Sequence, residues 1–185
     1  MKFYLQIILA IAIIFLSACQ ASENSLNSQP KPTPTNPTYK IVNLEPNFKI
    51  AMGQTIYVPI YSEIYHHNRQ EIFNLAATLS IRNTDLANPI IITSVRYYDS
   101  TGKLIEPYLE KPIQLDALAS TEFFVNRNDS RGGVGANFIV EWVSSTKISE
   151  PIVEAVMIGT DFQQGISFIS PGKVISNKNN TKNSL

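Results

Sequence analysis

The stretch FNLAATLSIRN, Phe73 to Asn83, places Phe73, Leu75, Ala77, Leu79 and Ile81 on one face and Asn74, Thr78, Ser80 and Arg82 on the other. That period of two belongs to an extended chain with one side in a core and the other toward water, whereas a helix repeats every 3.6 residues. QTIYVPIYS reads the same way through Ile56, Val58 and Ile60, and ANFIVEW through Phe138, Val140 and Trp142. In PIIITSVRYYD the alternation predicts Ile91, Thr93, Val95 and Tyr97 on a single face. TEFFVNRN, IVEAVMIGT and GISFIS complete the set, and turn residues punctuate it at 83–89, 100–102, 130–135 and 159–165. Short strands at this spacing, with hardly any helical pattern, predict an all-β fold, an antiparallel immunoglobulin- or fibronectin-like β-sandwich of about seven strands.

The flanks follow other rules. Lys2 precedes an apolar run from Phe3 to Phe15, and small residues close it before Cys19, which is the layout of a secretory signal. Leu16-Ser17-Ala18-Cys19 resembles the lipobox of bacterial lipoproteins, a resemblance that implies cleavage after Ala18 and acyl chains on the Cys19 thiol. Two or more chains anchor stably where one of myristoyl length gives only marginal binding. Cys19 is the sole cysteine, so no intramolecular disulfide and no cysteine-based zinc site can be built. Gln20 is not the aspartate that retains many such lipoproteins in an inner membrane, which favours an outer membrane if the cell has one. The chain thus divides into a signal peptide over 1–18, a lipidated cysteine with a Pro, Ser and Asn-rich tether over 19–49, a sandwich over 50–175, and a polar tail over 176–185. Fifteen basic residues balance fifteen acidic ones, and this argues against a nucleic-acid partner, which asks for a basic footprint.

Three residue groups could carry chemistry. NDSRGGVGANFIVEW holds Gly132, Gly133 and Gly135 with Arg127 and Arg131 nearby. A dinucleotide or phosphate loop of this kind must open a helix, and here the next segment has a period of two, so a corner in a β-hairpin connection is expected. A backbone-amide nest for an anion is the alternative. SEIYHHNRQE gathers Glu63, His66 and Glu71, residue types that ligate zinc or copper. Its expected state is an exposed polar connection, since His66 and His67 of an extended chain point to opposite faces. Arg82, Asp85, Tyr98 and Asp99, with Asn83 and Arg96, form a polar set at the ends of two strands read as possible hairpin neighbours; Asn83 and Asp85 are also natural turn formers.

QTIYVPIYSEIYH, LSIRNTD, SVRYYDSTGKLIEPYL, GGVGANFIVEW, EAVMIGT and QGISF, in that order, resemble an exported bacterial protein family catalogued as domain of unknown function 3124, over about Gln54 to Ser170. The resemblance implies export and the domain limits; it implies no activity, cofactor or catalytic residue. The functional expectation is therefore a lipid-anchored, extracytoplasmic binding or envelope-assembly module in the bacterial cell envelope. Its partners are the membrane, through Cys19, and an unidentified envelope protein or ligand. It is expected to be no enzyme and to need no cofactor. A metal-binding or metal-sensing domain and a purely structural envelope protein are the alternatives.

Overall fold

The computed structural model describes residues 39–161 and 164–179. The signal segment, Cys19 and the tether before Tyr39 lie outside the described residues. Thirteen strands follow in chain order among the described residues: β1 (Tyr39–Ile41), β2 (Met52–Pro59), β3 (Glu63–Tyr65), β4 (Ile72–Asn74), β5 (Ala76–Arg82), β6 (Ile90–Tyr98), β7 (Leu104–Pro107), β8 (Ile113–Leu115), β9 (Ser120–Val125), β10 (Asn137–Ser144), β11 (Ile152–Asp161), β12 (Gln164–Pro171) and β13 (Lys173–Asn177). The larger sheet runs β1-β8-β6-β10-β2-β13 with β7 also on β6, the smaller runs β12-β11-β5-β9, and β3 and β4 form a separate ribbon. Every pairing is antiparallel.

The sandwich expected from the alternation is present. Ala77, Leu79 and Ile81 of the smaller sheet, Leu75 just before them, and Ile56, Val58, Phe138, Val140 and Trp142 of the larger share one buried cluster. The strand number exceeds the expected seven because β1, β3, β4, β7, β8 and β13 span three to five residues each, too few for a period to show.

One facing is corrected. Glu141 of β10 pairs with Ser94 and Trp142 with Ile92, leaving Thr93 as the extra residue of a β-bulge whose hydroxyl donates to the Glu141 carbonyl at 3.2 Å. A bulge resets the side-chain alternation. Ile90 and Ile92 are therefore buried before it, and Val95 and Tyr97 after it, while Ile91 and Thr93 leave the core face.

The paired strands also extend beyond 50–175 at both ends. β1 pairs Tyr39 with Leu115 and Ile41 with Ile113, and β13 pairs Asn177 with Gln54. Tracing the registers, Tyr39, Leu115, Ile90, Met52 and Asn177 all fall toward one end of the sandwich. The chain enters and leaves the domain there.

Candidate functional site

The glycine-rich segment is a corner, but it is no hairpin. It carries the chain from β9 in the smaller sheet to β10 in the larger, through a short 3-10 turn over Ser130–Gly135 that Asp129 caps by accepting from the Arg131 N–H. Gly133 holds φ 71° and ψ −162°, a region essentially closed to residues with a Cβ. Gly132 packs so closely on Tyr97 that an added Cβ would stand 2.1 Å from its Oη. Two serines lock the corner. The Gly132 carbonyl accepts from the Ser100 N–H at 3.0 Å and from its hydroxyl at 2.8 Å, and Ser100 Oγ accepts the Gly135 N–H at 2.8 Å. The Gly133 carbonyl accepts from the Ser62 N–H at 3.2 Å and the Ser62 hydroxyl at 3.1 Å.

This arrangement speaks against the anion-nest alternative. A nest needs convergent N–H groups, and Gly132 and Gly133 turn carbonyls toward serine donors while the Gly135 N–H is already engaged. Arg131 gives its guanidinium to Asp129 at 2.6 Å and to Glu106 at 3.1 Å; both carboxylates hold it above its usual range, and Asp129 is held below its own by Arg131. Arg127 reaches the Thr160 carbonyl at 3.3 Å.

Glu63, His66 and Glu71 are not brought together as a ligand set. β3 and β4 pair Glu63 with Asn74, and the Glu63 carboxylate reaches toward Gly133, 4.0 Å from where a Cβ there would sit. His66 closes the ribbon instead, with its N–H on the Glu71 carbonyl at 3.3 Å and Nε2 3.6 Å from the Glu71 carboxylate in the open. Among the described residues no group of three or more His, Cys, Asp or Glu is placed to hold a metal ion.

The polar set divides. β5 and β6 lie in different sheets, so they are not hairpin neighbours. Arg82 and Asp85 stand at one end of the sandwich and Tyr98 and Asp99 at the other. The nine residues of β6 separate them, roughly 27 Å at about 3.4 Å per residue. Each half is a fastening. Buried Asn83 donates to the carbonyls of Asn88, Leu115 and Asp116, tying the β5–β6 turn to β8. Asp85 accepts the N–H groups of Ala87, Asn88 and Ser149, and these bonds bring its carboxyl from the ordinary 3.8 down to about 2. Asp99 closes the β6–β7 turn by accepting from Thr101 and Lys103, which lowers it too. Arg96 lies 6.0 Å from the Tyr98 ring and pairs with Glu141.

A pH dependence follows from Asp85. A carboxyl whose folded pKa is depressed adds stability that is complete above its unfolded value, near 3.8, and is lost as pH falls toward about 2. Carboxyl chemical shifts followed by NMR should give Asp85 a midpoint near 2 in the folded chain. In Asp85→Asn the loss of stability between pH 4 and 2 should be shallower. A midpoint at the ordinary 3.8 would contradict the bonded turn.

Two surfaces emerge that alternation did not single out. The first is the outer face of the smaller sheet. The registers place Phe124 of β9, Thr78 of β5, Val156 of β11 and Ile169 of β12 in one row across all four strands. Ile158 lies one rung away, opposite Ser167. Phe124, Ile158 and Ile169 are 52%, 48% and 61% exposed. An acidic rung, Glu122 and Glu154 joined through Ser80, borders the row. On the outer face of the larger sheet Glu141 is held between Arg96 and Lys178, and the neighbouring row Arg96–Ile139–Tyr57–Lys173 mixes charged with apolar side chains. The signal in the sequence was apolar residues in both phases: Phe123 beside Phe124, and Val156 and Ile158 against Ala155 and Met157.

The second surface is a tip at the end where the chain enters. Leu86 in the β5–β6 turn is 81% exposed and Leu118 in the β8–β9 turn 64%. The Leu118 N–H donates to the Asp85 carbonyl at 3.2 Å, which joins the two turns. Leu118 is the one non-glycine residue at positive φ among the described residues, at 58°, a conformation costing about 1–2 kcal/mol for a side chain of this kind. DLANP and LDALA gave the only hint, leucines inside turn composition. A further cleft, where β12 passes into β13, holds about 230 Å³ between Gln54, Glu150 and Val174. It is smaller than the roughly 300–1,000 Å³ of small-molecule sites, and Gln54 crosses it to Glu150 at 2.8 Å.

Comparison with known proteins adds a family and no chemistry. The family model described as protein of unknown function (DUF3124) matches residues 53–175. No curated protein matches the chain. Among solved structures, the crystal structure of Thermotoga maritima 1070 is similar over 65% of this chain and 92% of that one, at 9% identity and a TM-score of 0.40. A likeness that remote carries no argument about what the chain does.

Proposed function

This chain belongs to the DUF3124 family, whose description supplies no activity to inherit, and we propose from its own features that it is a lipid-anchored, extracytoplasmic binding or envelope-assembly module. It binds rather than catalyses, and it works through the outer face of its smaller sheet. One observation carries the reading: the row Phe124–Thr78–Val156–Ile169, apolar at three of its four positions, exposed at both ends and edged by Glu122 and Glu154. Contiguous apolar surface rimmed by polar groups is the usual form of a protein-binding face, since burying it releases roughly 25 cal/mol per Å². On the larger sheet the outward Ile139 and Tyr57 are interrupted by the charges of Arg96, Glu141 and Lys173. Export and anchoring rest on the segment before the domain, where Lys2, the apolar run and Leu16-Ser17-Ala18-Cys19 have the lipoprotein layout.

A photo-reactive residue at Ile158 should give discrete protein adducts in intact cells, while one at Lys173, on the outer face of the larger sheet, should give none. Phe124→Asp with Ile169→Asp should abolish the adducts without unfolding the domain, since both side chains already face water. Adducts from both faces, or from neither, would replace this reading by a purely structural envelope protein.

The anchor has its own test. Wild type should take up labelled fatty acid and fractionate with membranes, and Cys19→Ala should yield an uncut precursor or a soluble chain. A cleaved, unlabelled chain still held on the membrane would contradict it.

A further inference from the structure

We infer that the tip built by Leu86 and Leu118 is a lipid-contacting end that seats the domain against the membrane at the boundary between headgroups and acyl chains. The inference rests on the proposed anchoring and goes beyond it, because an anchored domain could hang freely from its tether.

Leu86 and Leu118 are among the most exposed large apolar side chains described, and they stand on two separate turns that the Leu118 N–H joins at the Asp85 carbonyl. The tip is held firmly. Asn83 and Asp85 bond both turns from beneath, and the Leu118 N–H closes them on each other. Leu118 keeps a backbone conformation that asparagine or glycine would adopt with less strain. An exposed leucine gains nothing from that conformation in water.

The occupant follows from where the rest of the chain attaches. β1 runs antiparallel to β8, so passing from Ile41 back to Tyr39 moves along β8 toward Leu115 and the Leu118 turn. The residues before Tyr39, which include Cys19, therefore join the domain beside the two leucines. An acyl-anchored chain presents this end to the bilayer first. The carboxylates of these two turns are engaged: Asp85 accepts backbone N–H groups, and Asp116 is paired with Lys40 at 3.3 Å and bonded by Gln114 at 2.9 Å. A bilayer accepts separate protruding apolar side chains without a matching groove, and amphipathic anchors use that interfacial layer.

The test uses the full mature chain, reconstituted in phosphatidylethanolamine–phosphatidylglycerol vesicles that contain brominated acyl chains, with a fluorophore on one introduced thiol. Ala87→Cys reports the tip with both leucines kept, and Lys103→Cys reports the β6–β7 turn at the opposite end. The expected result is quenching by brominated lipid at position 87 and none at 103. Replacing Leu86 by Ser and Leu118 by Asn in the Ala87→Cys chain should remove most of the quenching. Leu118→Asn alone should leave the melting temperature unchanged or raised, which a merely structural role for this leucine would not permit. Equal quenching at 87 and 103, or quenching that survives the double replacement, would overturn the inference. So would a probe shielded in intact cells yet open to aqueous quencher on vesicles, which would assign the tip to a protein. Failure of the anchor itself is separately visible: wild type without an introduced thiol would then take up the fluorophore at Cys19.

Discussion

Trp142→Ala should cost about 3–5 kcal/mol of folding stability, the range for truncating a large aromatic side chain in a closed core. Trp142 is fully buried in the middle of β10, between β2 and β6 of the larger sheet, and its ring belongs to the cluster shared with the smaller sheet. Its indole N–H has no hydrogen-bond partner among the described residues. The loss is therefore one of packing and cavity formation, with no hydrogen bond to subtract. Trp142→Phe keeps an aromatic ring, removes that N–H, and should cost much less than Trp142→Ala. Urea unfolding with a common slope for the three chains decides it. Equal losses for Phe and Ala would mean that the indole N–H is bonded after all.

The second large effect is expected at the corner between the sheets. Gly133→Ala forces a Cβ into φ 71°, ψ −162°, a strain on the order of 1–3 kcal/mol. Gly132→Ala drives one into Tyr97 and to 2.7 Å from the Ala136 Cβ, an overpacking cost of about 1–3 kcal/mol. Gly135→Ala is the internal control, because its φ is not positive and an added Cβ meets nothing nearer than Ser100 Oγ at 3.3 Å. Melting curves should rank Gly132 and Gly133 far above Gly135. Three equal losses would remove the distinction between strain, overpacking and ordinary contact on which the corner's description depends.

The long strands were legible because each residue's facing repeats over enough positions to be read. β5 and β10 show this plainly, and Leu79, Ile81, Phe138 and Trp142 are buried as their phase required. β6 misled because the bulge at Thr93 shifts the phase inside one run, and nothing local in IIITSVRYY marks where. β1 and β8 were illegible for a different reason. Three-residue strands owe their existence to a partner far away in sequence, Tyr39 to Leu115, and not to their own pattern. The same limit applied to the sites. Turn chemistry at Asn83, Asp85 and Asp99 could be read from residue type, but the assignment of β5 and β6 to different sheets, which divides the polar set, is a property of topology. The glycines announced a corner, and only the structure supplied the serines from two other turns that close it.

β1 also sets how the domain meets a pull. Any tension on the chain before Tyr39 enters through three residue pairs on β8, at the edge of the larger sheet, whereas the β2–β10 ladder behind it has eight. The short ladder yields first. Its release would free the chain as far as Met52, where β2 begins, adding on the order of 40 Å of slack at about 3.3 Å per residue. Under such a pull the strand would act as a mechanical fuse, releasing chain while the sandwich beyond it stays folded.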